Sequence, residues 1–496
     1  MEKTAAAAAV AAEEEPEEAW AWTWGAGTDG QLGNGGFQDL HLPQPLLLPP
    51  RCRGRVSFVA GGGAHAIALT SDGEVFTWGR GTHGQLGHGN IENIPHPKSV
   101  KFFENYTVTC VSTGWNHSGF ATDSGQLFMC GDGSFGQLGT GDTQSRNSPF
   151  EVPSFTTKHV EKLAFGMRHS LVLLKDNSVY GFGSARRGQV GKSASKNQKF
   201  CNTPRLIDGF PNCKIVNLYA NGDHSAALDE SGQLYIWGRA LVGEHDDDQP
   251  RAAFPSLSIS QVALGWHHAL VLSGGELYTI GAYRHQKCDP SVSENAVAQK
   301  LNLITTSSKH HESSSVSNLA KVPSIHGQQV TQIAAGTEHS ALVTDSGALF
   351  TWGWGEHGQL GLGDTCDQVV PRRVNLGDEG SRSSASLSVY CGSGFTVAYY
   401  NPARGSNIVA SRDLDLSTGV LVKMEDGIIQ TPYCPVPFII AEDHIVDWGY
   451  KYYRVSIVMH LVPGGKENNS VPGRHLQSSN QGKEEEIRYI YRGCGR

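Results

Sequence analysis

Gly79, Gly81 and Gly84 in "WGRGTHGQLGHG" (Trp78 to Gly89) stand in the spacing G-x-G-x-x-G. Glycines so spaced let backbone amides close on a dinucleotide pyrophosphate, provided a strand precedes the loop, a helix N-terminus follows it and an acidic residue stands about 20 positions on. Here the loop is followed by "HGNIENIPHPKSV", in which Pro95 and Pro97 forbid a helix interior and no 3.6-residue apolar period appears. The helix that would face the phosphates is missing. The same spacing recurs from Gly25, Gly131 and Gly353, so the glycines point to a structural repeat and no cofactor is expected.

A second candidate set is His65, His117, His169, His224, His268 and His339, which recur in a G-x-x-H element with Gly62, Gly114, Gly166, Gly265 and Gly336. Metal ligands must converge within about 2 Å of one ion, and equivalent positions of successive repeats cannot do so. One structural rule covers all six: an imidazole hydrogen-bonding across neighbouring strands. His310, His311 and Glu312 lie in a Ser-rich stretch and read as solvated, while Glu244, Asp246, Asp247 and Asp248 lack the glycine and spacing of a calcium loop. No metal site is expected. No G-x-S-x-G elbow follows a strand, and no pair stands out as nucleophile and base, so a conventional active site is not expected either.

The elements that carry these residues repeat as a unit, fullest in "VAGGGAHAIALTSDGEVFTWGRGTHGQLGHG". Its first half recurs at the six histidines and once more in "CGSGFTVAYY", with Phe395 at the histidine position; its second half ends in Trp24-Gly25, Trp78-Gly79, Cys130-Gly131, Phe182-Gly183, Trp237-Gly238, Ile280-Gly281 and Trp352-Gly353. Segments such as "EVFTWG" and "QLYIWG" alternate with period two and are joined by tight-turn signals such as Asp72-Gly73, which is strand patterning. Sixty glycines with only 18% charged residues suit a turn-dense all-β protein, and 39% apolar residues are too many for wholesale disorder. A period near 50 residues with several strands per unit predicts a seven-bladed β-propeller of four-stranded antiparallel blades. The array opens on a second half at Trp24 and closes on a first half at Phe395, so the two ends should unite in one blade and leave no open sheet edge.

With "STGWNHSGFATDSGQLFMCGDGSFGQLGTG" and "AAGTEHSALVTDSGALFTWGWGEHGQLGLGD" beside the stretches above, residues 20 to 400 resemble the repeats of the regulator of chromosome condensation family. The resemblance implies a propeller that docks a protein partner on one face. The founding member is a nucleotide-exchange factor for the small GTPase Ran, and residues beside its repeat histidines take part in docking. The corresponding positions here are Ala64, Asn116, Arg168, Asp223, His267 and Glu338; a small GTPase is therefore the expected partner and nucleotide exchange, which needs no covalent chemistry, the expected activity. A plant ultraviolet-B photoreceptor of the family clusters tryptophans from consecutive repeats and clasps a dimer through adjacent arginines. This chain has Trp115 and Trp266, but Met167 and Thr337 in the repeats next to them and Asn116 and His267 beside them, so light sensing is the alternative.

Outside the array, residues 1–19 read as disordered, 283–323 as an inserted surface loop and 401–496 as a non-repeat extension that forms a few strands before a flexible end. The net charge of −8 and the lack of a Lys/Arg-rich block argue against direct nucleic-acid binding or attraction to an anionic membrane. The N-terminus has neither the apolar core of a signal peptide nor the arginines of a transit peptide. A monomer in the cytoplasm or nucleus, not secreted, is the expectation.

Overall fold

In blade I the strands Val56–Gly61, His65–Thr70, Val75–Gly79 and Ile94–Ser99 pair in chain order, each antiparallel to the last. The second strand is buried at every position and so is the third, which is why both read as apolar runs. The fourth strand alternates between buried and exposed residues. It is the outer edge, and it is where Pro95 and Pro97 sit. Proline lacks an amide donor, so it is tolerated on an edge strand and deters pairing with another chain. The outer strands Arg146–Glu151, Asp247–Ala253 and Gln368–Val374 carry proline in the same way.

Blades II to VI repeat this pattern over residues 108–151, 160–206, 215–253, 259–321 and 330–374. Blade VII joins Ser386–Cys391 and Phe395–Asn401 to Ala21–Gly25 and Leu40–Pro45, with Ala21 opposite Tyr399 and Gly25 opposite Phe395. Residues 21–401 thus form a seven-bladed propeller closed by the two ends of the array. Its core lies between blades. Seven apolar clusters each draw on two neighbours, for example Ile67, Leu69 and Val75 of blade I with Val111, Phe120 and Phe128 of blade II.

The computed structural model describes residues 20–49, 52, 55–192, 198–241, 245–281, 319–322, 325, 327–377 and 386–401, and five short strands between residues 423 and 492. Residues 1–19, most of 283–323, Glu244, and the cluster His310, His311 and Glu312 lie outside the described residues. The outer strand of blade V, Leu319–Lys321, falls inside the stretch expected to be an insertion; three residues are too few to show a period. Residues 405–496 form a second compact unit. In it Lys423–Glu425, Ile428–Gln430 and Pro435–Pro437 make one sheet, and Tyr452–Val458 pairs with Glu486–Arg492. That last strand lies in the end expected to be flexible, where polar flanks hide the alternation of "EIRYIYR".

Candidate functional site

The glycine-rich loops are latches between blades. Gly79, Gly84, Gly87 and Gly89 have φ of +99°, +82°, +75° and +82°, a region side chains disfavour. The amides that a phosphate would need are already engaged within the loop and with blade II. The Gly81 amide donates to Asn93 Oδ1 (3.0 Å), that of His83 to Gln85 Oε1 (2.9 Å), that of Gly84 to the Gly81 carbonyl (2.7 Å), and that of Gly89 to the Asn147 carbonyl (2.8 Å). Leu32, Leu86, Leu138 and Leu360 bury one such loop each.

Gln85, Gln137, Gln189 and Gln359, the glutamines of four such loops, join this latch to the repeat histidines. His65 Nε2 lies 2.9 Å from Ser118 Oγ of the next blade, and Ser118 Oγ donates to the Gln85 carbonyl of His65's own blade (2.7 Å). His117 with Ser170 and Gln137, His169 with Ser225 and Gln189, and His339 with Thr396 and Gln359 repeat the triangle; His268 meets Ser340 at 2.9 Å. Because the hydroxyls of Ser118, Ser170, Ser225 and Thr396 spend their protons on the carbonyls, they accept from the imidazoles, which fixes the Nε2–H tautomer of those four histidines. The same carbonyls receive the next blade's indole or thiol: Trp237 Nε1 donates to Gln189 (3.0 Å), Trp24 Nε1 to Gln359 (3.0 Å) and Cys130 Sγ to Gln85 (3.6 Å). Cys130 thus does a tryptophan's work with a smaller group.

Burial without a counter-charge holds His65, His117, His169, His268 and His339 down to about 3. These rings are neutral braces at any pH near 7, and so are unsuited to acid-base work there.

The glycine three residues earlier makes room for each ring. A Cβ at Gly114 would overlap the His117 imidazole and come within 2.6 Å of the Gly166 carbonyl; Gly62, Gly166, Gly265 and Gly336 face their own histidines in the same way. Gly114→Val is therefore expected to destabilise the propeller by about 3 kcal/mol. Urea titration of the variant checks this, and an unchanged midpoint contradicts the packing.

The clamp fails where the neighbouring blade has no hydroxyl, and each failure has its own remedy. Blade VII faces Ala66 and carries Phe395 instead of histidine. Blade IV faces Ala269 and has Asn221 where the glycine would be, so His224 turns to backbone carbonyls, Nδ1 toward Arg239 (2.8 Å) and Nε2 toward Trp266 (3.0 Å). The imidazole–hydroxyl clamp therefore holds for five of the six histidines, while His224 reaches the next blade through the Trp266 carbonyl.

His65 pairs with Gly79 across the sheet, which puts the G-x-x-H loops and the glycine-rich loops on one face. On that face Arg168 is exposed, its guanidinium 4.5 Å from the Phe135 ring centre. Asp223 is half-buried and its Oδ1 accepts from Gln189 Nε2 at 2.9 Å. His267 is half-buried and coplanar with Trp266, ring centres 6.0 Å apart. Asn116 and Glu338 are half-buried, and Ala64 is buried. These side chains come one from each of blades I to VI and line a rim; they do not converge on one pocket.

One contact was hidden from the sequence. Trp115 of blade II and Trp266 of blade V meet with ring centres 5.7 Å apart, tilted by 54°. Loops three blades apart can touch only across the axis. Gly63 and Gly222 leave the space, since a Cβ on the first would lie 3.0 Å from Trp115 Cδ2 and on the second 2.9 Å from Trp266 Cδ1. The consecutive-repeat tryptophan cluster is absent, as Met167 and Thr337 require, but an axial pair is present.

The ultraviolet-B receptor of Arabidopsis thaliana is 28% identical over 364 residues, covering 71% of this chain and 76% of that protein. The secretion-regulating guanine nucleotide exchange factor of Bos taurus is 28% identical over 401 residues, 75% of this chain and 82% of its own. The human X-linked retinitis pigmentosa GTPase regulator is 29% identical over 364 residues, 69% of this chain but 32% of that longer protein. Among solved structures, Prp20p of Saccharomyces cerevisiae, described with its binding to Gsp1p and histones, superposes with a TM-score of 0.62 at 24% identity, over 78% of this chain and 92% of its own; that likeness is one of fold. The model of the RCC1-like domain matches residues 20–398, and the chain belongs to that family.

Proposed function

We propose that this propeller is a protein-interaction platform that binds a small GTPase through its G-x-x-H face and promotes release of the bound guanine nucleotide. The observation that carries the proposal is the contrast on that face. The histidines, serines and glutamines that hold the ring are buried, whereas Asn116, Arg168, Asp223, His267 and Glu338 differ from blade to blade and are at least partly exposed. A rigid ring that displays an unlike side chain from each blade suits recognition of a protein surface. Relatives described as a guanine nucleotide exchange factor and a GTPase regulator support the choice of partner. Exchange requires only that the nucleotide-free GTPase bind more tightly than the loaded form.

The test is release of a fluorescent guanine nucleotide from a panel of small GTPases, Ran included, with the full chain at stoichiometric concentration. Acceleration with one member is the expected result; none across the panel refutes exchange. The axial tryptophan pair and the ultraviolet-B receptor relative favour a second reading, light sensing, in which ultraviolet-B irradiation would quench tryptophan emission and change the oligomeric state.

A further inference from the structure

The axial tryptophans stand at the centre of the proposed docking face, and their surroundings select a ligand. The loop that carries Trp266 is bonded to both neighbouring loops: the Trp266 carbonyl lies 3.0 Å from His224 Nε2 of blade IV, and the Trp266 amide donates to the Thr337 carbonyl of blade VI at 2.8 Å. Asp223 precedes that histidine and Glu338 follows that threonine. Trp266 is thus bracketed by two loops that each carry a half-buried carboxylate, Asp223 with its Oδ1 on Gln189 and Glu338 with its Oε2 enclosed. Among the residues beside the repeat histidines the formal cation is Arg168, held over Phe135, toward the glycine-rich loop of blade II; Arg187 and Arg239 of the glycine-rich loops lie within electrostatic reach of Asp223 and His224, and Arg187 is paired with Asp246. Indole faces are electron-rich and attract cations, and the flanking carboxylates add attraction of the same sign.

We propose that the Trp115–Trp266 pair is the anchor of the docking face and receives a basic side chain, lysine or arginine, from a protein partner. The pair offers a partly exposed apolar centre inside a polar rim, the arrangement in which a few aromatic residues dominate an interface. The basic side chain lays its aliphatic stem on the indoles, and its charge is drawn to the Asp223 and Glu338 side of the face. The inference rests on the proposed function for the existence of a protein partner, but its chemistry can be tested without one.

The experiment uses the full chain with its indole nitrogens labelled with 15N, and Trp115→Phe and Trp266→Phe to assign the two signals. The probes are the capped tripeptides Ala-Arg-Ala and Ala-norleucine-Ala. The arginine peptide is expected to shift both signals and to bind about fivefold tighter than its neutral analogue. Asp223→Asn with Glu338→Gln should reduce that preference to about twofold or less. Equal shifts from the two peptides, or none from either, overturn the proposal. So does a dimer that Trp266→Leu dissolves in sedimentation, because the occupant would then be a second copy of the chain. An arginine response in a protein that acts on no GTPase would separate this inference from the exchange reading. Exchange that survives Trp115→Leu with Trp266→Leu would leave the exchange reading standing and defeat this one.

Discussion

Deletion of residues 1–45 is expected to abolish cooperative folding of the whole propeller. Those residues supply the third and fourth strands of blade VII, and with them Trp22 and Trp24, which pack against Val389 and Ala398 and against Leu349 of blade VI. Leu32, at the other seam of the blade, is buried with Trp78 of blade I. Burial of two tryptophans and a leucine contributes about 6 to 9 kcal/mol. The Trp24–Gln359 and Trp78–Gln31 bonds would also be lost. The total is comparable with the roughly 5–15 kcal/mol that separates most folded domains from the unfolded chain. The ring geometry spreads the damage, because an open blade leaves two seams without partners. Circular dichroism during heating decides the matter: the truncated chain should show no cooperative transition. A sharp transition within a few degrees of the full chain would mean that six and a half blades are self-sufficient and that closure is incidental.

Acid should unfold the propeller in a pH range set by its histidines. In the folded chain five of them titrate near 3, and in the unfolded chain near 6.5. Between those values the unfolded state binds more protons, so the stabilisation is complete above about 6.5 and drains away as pH falls toward 3. From pH 7 to pH 5 each histidine accounts for about 2 kcal/mol, and the five together for roughly 9 kcal/mol. The carboxylates held low contribute little in this window. Asp142, Asp176 and Asp229 are held below the usual range, the first two chiefly by backbone hydrogen bonds and the third by Ser231 and Gln233 against its burial, so their share is lost only at lower pH. Urea midpoints measured from pH 7 to 5 should fall steeply. A flat profile would mean that water or a counter-charge reaches the imidazoles.

Much of this was legible because a repeat reports its own structure several times. The alternation in "EVFTWG" and its counterparts placed the strands, and the half-units at Trp24 and Phe395 placed the closure. The hydroxyl end of the clamp was also in view, as the residue after each histidine or after Phe395 in its place: Ser118, Ser170, Ser225, Ser340 and Thr396 at the acceptor positions, Ala66 and Ala269 where the clamp fails. Its meaning needed the structure, since the partner of each histidine lies one blade on. The rim positions could be found by their neighbourhood to the histidines, but only coordinates show that Arg168 leans on Phe135 and Asp223 on Gln189. The Trp115–Trp266 contact left no trace in spacing. A period describes neighbours around the ring, and this pair meets across it.

One comparison decides whether the rim recognises the partner while the buried clamps hold the ring. Nucleotide release from the responsive GTPase is measured with the full chain and with Asp223→Ala combined with His267→Ala, alongside the thermal midpoint of each. The double variant is expected to lose its stimulation and to melt within about 4 °C of the parent, since both side chains are half-exposed and the Asp223–Gln189 hydrogen bond that is lost contributes about 1 kcal/mol. Stimulation that survives would place the partner elsewhere, and loss of both properties together would make Asp223 and His267 parts of the scaffold.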